Sequence, residues 1–161
     1  MAILLPDAII LELLSERKPL PLDYREKIQV RPKRGHKKRE LDIIGIESSQ
    51  FKLILRQSEF NALDFSVILS YCIPLTNQRL HLRRYNGKSH QHTNSIEDTI
   101  CYDFHIHTAT ERYQRLGARE DGYAEPTARY ADINQAIHCC LSDCAFDLPP
   151  DAQTSLFEEE I

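Results

Sequence analysis

The chain lacks three features that would assign a function class at once: a CxxC cysteine pair, a long apolar run and a signal-peptide pattern. Its five cysteines are an odd set, which argues against a disulfide framework or a zinc knuckle and predicts reduced thiols in a cytoplasmic protein. No stretch reaches the roughly 18 consecutive apolar residues that a membrane-spanning helix needs. Pro6, Asp7 and Glu12 interrupt the apolar start, and no small-residue cleavage site follows it, so we expect neither a leader nor a membrane partner.

Glycine is also scarce, at 5 residues, whereas the 8 prolines are an ordinary number, and no internal repeat occurs. With 42% hydrophobic and 27% charged residues, the composition is that of an ordinary folded protein. A length of 161 residues suits one domain with its own core. We predict a single domain over residues 1–147 and an acidic, flexible tail over 148–161.

Positive charge is missing from the last part of the chain and concentrated in an earlier one. Residues 143–161 contain six acids and no Lys or Arg, whereas residues 25–39 contain eight Lys or Arg and one Glu. Pro32 and Gly35 interrupt this basic stretch, which has no continuous apolar stripe. We therefore predict a loop or mobile arm at residues 25–40, which is either a solvated linker or a contact for phosphate backbones.

The apolar spacing predicts a helix, then a sheet, then further helices. The helical segments are residues 4–14, 108–117 and 130–146. The strand-like segments are residues 41–48, 51–57, 64–73, 79–85 and 101–108. The predicted class is α+β: a mostly antiparallel β-sheet of about five strands, with an N-terminal helix and C-terminal helices packed on it.

Strand alternation assigns the polar residues of the last two strands to one face. If these strands pair, their apolar sets share the core, and those sets are Leu80, Leu82, Arg84, Tyr102, Phe104 and Ile106. The opposite face then collects His81, Arg83, Tyr85, Asp103, His105 and His107, with Lys88, His90, His92 and Asn94 of the intervening loop at its rim. Arg84 falls on the apolar face unless a β-bulge redirects it.

This set of side chains suits RNA cleavage without a metal or another cofactor. Such a reaction needs a base for the 2′-hydroxyl, an acid for the leaving 5′-oxygen and a cation for the developing charge. The candidate catalytic residues are Tyr85, His90, His92, Asp103, His105 and His107, with Asp103 orienting a histidine. The candidate substrate-binding residues are Arg83, Arg84, Lys88 and Asn94. Two alternatives remain: a metal held by His105, His107 and their neighbours, and a solvated sheet face without a function.

The segments "LRRYNGKSHQHTN" and "YDFHIHTATERY" resemble the core of TumE-type toxins of bacterial and archaeal toxin–antitoxin pairs, over roughly residues 79–110. More distantly, a helix followed by an antiparallel sheet is similar to RelE-like ribonucleases, whose basic sheet surface binds RNA. The resemblance implies an RNA-directed toxin or nuclease that a small antitoxin neutralises. Its motif residues here are Arg84, Tyr85, His90, His92, His105 and His107. The chain departs from the pattern at Asn86, where Asp is usual, and in the separation of His90 from His92.

Three functions follow from these patterns. The first is a metal-independent ribonuclease of a toxin–antitoxin or defence system, with RNA as substrate and a small antitoxin protein as partner. The second is a non-catalytic module in which the basic arm and the polar face bind nucleic acid or protein. The third is a metal-dependent hydrolase with a histidine-rich site. The sequence also leaves a homodimer open in each case.

Overall fold

The computed structural model describes residues 4–29, 31–33, 36–117 and 119–149. The helices in these ranges are α1 (Asp7–Ser15), α2 (Tyr24–Lys27), α3 (Glu111–Arg115) and α4 (Ile133–Asp143). None of them is long and apolar enough to cross a membrane.

The strands of the described residues form one large sheet and two short ladders. In chain order they are β1 (Lys18–Pro19), β2 (Arg31–Lys33), β3 (His36–Ile44), β4 (Gln50–Ser58), β5 (Phe65–Cys72), β6 (Arg79–Asn86), β7 (His92–Asn94), β8 (Thr99–Cys101), β9 (His105–Thr108), β10 (Tyr123–Pro126) and β11 (Phe146–Asp147). The large sheet has the order β10-β9-β6-β5-β4-β3-β2, and every neighbouring pair in it is antiparallel. The short ladders join β1 to β11 in parallel and β7 to β8 as a hairpin.

Helices cover one face of the large sheet because apolar residues alternate along its central strands. Directly opposite residues share a face, so Leu41, Leu53 and Leu69 form one cross-strand row. All three are buried in a cluster with Leu13 of α1 and Ala136 of α4. We call this face the helix-covered face. We call the opposite face, which carries Glu40, Lys52, Arg56, His105 and His107, the open face.

The buried ammonium of Lys18 joins the ends of the two longer helices. Its Nζ lies 2.8 to 3.1 Å from the carbonyl oxygens of Leu13, Leu14 and Glu16 at the end of α1. It also lies 2.6 Å from the carbonyl oxygen of Cys144, the residue after α4. Carbonyls at helix ends lack partners within the helix, and a cation there is favourable. Burial lowers the pKa of Lys18, and these carbonyls offset the loss of its hydration.

The predicted α+β class is confirmed, and so is the helical stripe near the C-terminus. The buried residues of α4 include Ile133, Ala136, Ile137 and Cys140, as the spacing predicts. At α3 the side chain of Thr110 accepts a hydrogen bond from the backbone N–H of Tyr113. Gly117 follows this helix with φ of 77°, a conformation that glycine adopts without strain.

The basic segment at residues 25–40 is not the loop that we predicted. It contains most of α2, the whole of β2 and the first part of β3. Strand β4 pairs with β3 along its full length, from His36 opposite Ser58 to Ile44 opposite Gln50, so backbone pairing orders a segment whose composition alone favours a loop. The tail predicted at residues 148–161 lies outside the described residues from residue 150 onward.

The segment 101–108, predicted as one strand, is divided in two. Cys101 ends β8 and His105 begins β9. Between them the carboxylate of Asp103 accepts a hydrogen bond from the backbone N–H of Phe104, and such local bonds compete with strand pairing. Tyr102, which we assigned to the core, is therefore 67% exposed. Phe104 and Ile106 pack against the core as expected.

Candidate functional site

A β-bulge in β6 decides which side chains of the arginine–tyrosine segment share a face. Between β5 and β6, Leu69 lies opposite Arg83, but Ser70 lies opposite His81. Leu82 is therefore an extra residue on its strand. A bulge of this kind redirects the side chains that follow it.

Because of this bulge, the polar face contains different residues from those that we predicted. Arg83 and Tyr85, which alternation placed with His105 and His107, lie on the helix-covered face instead, and Tyr85 is fully buried there. Arg84 lies opposite His107 on the open face. The alternation rule is correct for β9 and fails in β6 only after the inserted residue.

Three of the predicted histidines meet on the open face. The ring centres are 5.5 Å apart for His92 and His105, 4.5 Å for His92 and His107, and 5.0 Å for His105 and His107. His92 comes from β7, and the neighbouring Asn94 attaches this hairpin to the edge of β10. The amide of Asn94 accepts from the N–H of Ala124 and donates to its carbonyl, each at 2.8 Å. We call His92, His105 and His107 the histidine cluster.

Backbone carbonyls hold all three rings of the histidine cluster in place. The contacts are His107 Nδ1 to Asp121 O at 2.7 Å, His105 Nδ1 to Asp103 O at 2.8 Å and His92 Nε2 to Gly122 O at 2.9 Å. Because a carbonyl oxygen only accepts, each of these ring nitrogens carries a proton and donates it. Asp103 thus orients His105 through its backbone, not through the side chain that we proposed for this role.

Burial keeps His105 and His107 neutral. His105 and His107 are only 4% and 2% exposed. Burial lowers the pKa of both rings, and together with the nearby guanidinium of Arg84 it lowers the pKa of His107 to about 2. Efficient general acid–base catalysis needs a pKa near the working pH. The catalytic role of these histidines stays a prediction, and their geometry favours a structural role.

A buried carboxylate lies beside the cluster, close to two arginines and a histidine. The fully buried Asp121 has oxygens 3.1 Å from Arg84 Nε, 3.5 Å from Arg119 Nε and 3.8 Å from His81 Nδ1. Neither carboxylate oxygen has a hydrogen-bond partner, and neither does Arg84 Nε. The attraction is therefore electrostatic, and removing one partner would leave an uncompensated buried charge. Arg84, a predicted substrate-binding residue, is engaged inside the protein.

The other predicted site residues of this region lie at the surface. His90 is exposed. Lys88 Nζ lies 3.8 Å from the carboxylate of Asp103, and the two side chains are 50% and 61% exposed. Within the described ranges, no three or more His, Cys, Asp or Glu side chains are grouped so that they could hold a metal ion. The five cysteines are free thiols.

A second polar site lies on the helix-covered face, in an open groove of about 520 Å³. Its floor includes the cross-strand row of Arg83, Thr108 and Tyr123, from β6, β9 and β10. The other lining residues are Ile106, Thr110, Arg112, Glu125, Pro126, Thr127, Arg129 and Asp143. Because three arginines line it, we call this site the arginine groove.

Asp143 contacts Arg129 of the arginine groove and the buried Tyr85 behind it. Arg129 contacts both of its oxygens, at 2.7 and 2.8 Å, and the hydroxyl of Tyr85 donates to it at 2.7 Å. Burial alone would raise the pKa of Asp143, but these hydrogen bonds outweigh it and lower that pKa. Burial also raises the pKa of Tyr85, so the phenol stays protonated. Tyr85, a predicted catalytic residue, is thus a buried support for Asp143.

The three arginines of the groove differ in how closely they are paired. Arg129 and Arg112 each contact a carboxylate at 2.7 Å. Arg83 Nη1 lies 3.9 Å from Asp143, too far for a hydrogen bond, and Arg83 Nε is buried away from solvent. The side chain of Arg83 is 25% exposed. Arg83 therefore retains donors for an anionic ligand.

The sequence did not place several residues of both sites among the candidate site residues. Asp143 follows Tyr85 by 58 residues, and we counted it only among the acids of the C-terminal region. Asp121 and Arg129 belong to the charged stretch "GAREDGYAEPTARY", whose charge density was the available sign. No local spacing links these residues to β6, because the chain returns to that strand only in the tertiary structure.

Comparison with known protein families, with curated proteins and with solved structures found no match to this chain.

Proposed function

We propose that this chain binds RNA and that the arginine groove holds the sugar–phosphate backbone. The observation that carries the proposal is the convergence of Arg83, Arg112 and Arg129 in one open groove. Guanidinium groups remain charged at every physiological pH and bind phosphate through two parallel hydrogen bonds. A phosphodiester chain is the ligand class that such a groove fits.

The hydroxyl groups that line the groove support the same ligand. The hydroxyl-bearing side chains of the groove are Thr108, Thr110, Tyr123 and Thr127. Hydroxyls of this kind make many of the phosphate and sugar contacts in nucleic-acid interfaces. The resemblance of residues 79–110 to TumE-type toxins favours RNA as the polyanion. The substrate-binding role that the sequence predicts for Arg83 is part of this proposal.

The geometry supports binding better than cleavage by the histidines. His105 and His107 lie on the open face, whereas Arg83 lies on the opposite face of the same sheet. A phosphate bound at Arg83 would be separated from the imidazoles by the sheet itself. A ribonuclease that used Arg83 as its cation would therefore not bring acid, base and cation to one phosphate. Arg84 shares the face of the histidines, but it is paired with the buried Asp121. Ribonuclease activity and toxicity stay predictions, to be checked by RNA cleavage in the presence of a chelator and by growth arrest on expression.

The direct test is fluorescence anisotropy with a labelled single-stranded RNA at several salt concentrations. Each phosphate contact contributes about −0.7 to the slope of log affinity against log salt. We expect Arg83→Gln to weaken binding by about tenfold and to make this slope shallower by about one contact.

Arg17→Gln is the matched control. It removes the same charge from an arginine that is 66% exposed, pairs with Asp147 and lies outside the groove. Circular dichroism would verify that both variants are folded. An equal loss of affinity in the two variants would contradict the groove as the binding site. An absence of RNA binding by the wild-type protein would contradict the proposal as a whole.

A further inference from the structure

Arg112 lines one wall of the arginine groove and contacts two aromatic rings. Its guanidinium carbon lies over the Tyr123 ring, 4.8 Å from the ring centre, and 5.7 Å from the centre of the Tyr113 ring. An arginine placed over an aromatic ring is attracted to the π-system and presents its own flat face outward. The side chain is 50% exposed, so part of this surface faces solvent.

The surrounding residues hold this plane before any ligand binds. Arg112 Nε and Nη2 lie 3.0 and 2.7 Å from Glu97 Oε1. The other oxygen of Glu97 accepts a hydrogen bond from the hydroxyl of Tyr113 at 2.9 Å, and Tyr113 is almost fully buried. Ligand binding therefore does not have to order the Arg112 side chain, which favours affinity.

We infer that the ligand of the groove is single-stranded RNA, with one unpaired base stacked on the Arg112 guanidinium and a nearby phosphate bound by Arg83. This inference rests on the proposed RNA binding and adds the strandedness of the ligand. Unpaired bases expose their faces and stack on aromatic rings and on arginine planes. In a duplex those faces are covered by neighbouring base pairs, so no base could stack on the Arg112 guanidinium.

The test compares three probes with the wild-type protein: a short oligouridylate, an abasic ribose–phosphate oligomer of equal length, and an RNA duplex. We expect oligouridylate to bind about tenfold more tightly than the abasic oligomer, and more tightly than the duplex. Arg112→Lys keeps the charge but removes the plane. It should lose the preference for oligouridylate and keep the salt slope. Arg115→Lys, in the same helix and 65% exposed, is the matched control and should keep the preference.

Tyr123→Leu removes the ring beneath the guanidinium and provides a second variant. The stacking inference is overturned if the abasic oligomer binds as tightly as oligouridylate. It is also overturned if Arg112→Lys and Tyr123→Leu both keep the wild-type preference. In these cases phosphate binding in the groove would still stand. If the wild-type protein binds none of the three probes, the proposed function itself fails.

Discussion

The two faces of the β6–β9 strand pair use similar residues for different purposes. On the open face, Arg84 is 15% exposed and lies 3.1 Å from the fully buried Asp121. On the helix-covered face its sequence neighbour Arg83 is 25% exposed and lies 3.9 Å from Asp143, beside an open groove. The first arginine is held by an internal partner, and the second retains donors for a ligand.

The histidine cluster likewise shows that the residues of a motif can be held by partners inside the protein. A sequence rich in histidine and arginine suggests catalysis, but buried polar groups in proteins are usually satisfied by internal partners. His105 and His107 each donate to a backbone carbonyl and are almost fully buried. Burial and internal pairing, more than residue type, separate the polar groups that stabilise this fold from those that are free to bind.

The largest expected effect on the free energy of unfolding distinguishes Arg84 from its neighbour Arg83. Arg84→Met should lower the free energy of unfolding by about 3–5 kcal/mol, because it leaves the buried carboxylate of Asp121 without its closest cation. Arg83→Met should lower it by about 1 kcal/mol or less, since that ion pair is long and partly exposed. Urea unfolding of the two variants measures both values. Similar losses in the two would contradict the contrast drawn between the faces.

The second largest effect is expected at low pH, where His107 of the open face should destabilise the folded state. Burial lowers the pKa of His107 from 6.5 to about 2, so below pH 6.5 the unfolded state binds a proton that the folded state does not. The free energy of unfolding then falls as the pH falls, by about 1.4 kcal/mol per pH unit for this group, or about 2–3 kcal/mol between pH 6.5 and 4.5. Urea unfolding at a series of pH values measures the slope. In His107→Asn the slope should be smaller by about this amount, and an unchanged slope would refute the assignment.

A smaller effect is expected at the contact between the hairpin and the sheet. Asn94→Ala removes both hydrogen bonds to the backbone of Ala124 and should lower the free energy of unfolding by about 1–3 kcal/mol. Hydrogen exchange of the Ala124 amide would then be faster, because its acceptor is lost. Protection of that amide at the wild-type level would show that the hairpin does not depend on Asn94.

The smallest effect is expected at the exposed loop histidine. His90→Ala should change the free energy of unfolding by no more than about 0.5 kcal/mol, because its side chain is exposed. It should also leave RNA affinity unchanged if binding is confined to the arginine groove. A clear loss of affinity in the anisotropy assay would instead place the loop at residues 87–91 in the binding surface.

Much of the fold follows from local patterns. The helical period of Ile133, Ala136, Ile137 and Cys140 predicts the buried stripe of α4. The strand period of residues 105–107 predicts that His105 and His107 share a face, and the structure pairs their strand with β6. These predictions hold because side-chain direction in a regular element depends only on its repeat.

The sequence by itself determined the class of the fold, the shared face of His105 and His107 and the set of polar residues available for a site. The tertiary structure decided how these residues are divided. The extra residue Leu82 exchanges the faces of Arg83 and Arg84, because a bulge depends on pairing with β5. Burial of the histidine cluster depends on the contact of Asn94 with Ala124, and the arginine groove depends on Asp143, which meets Tyr85 from 58 residues away. Contacts between distant parts of the chain set burial and charge pairing, and these have no local repeat from which they could be predicted.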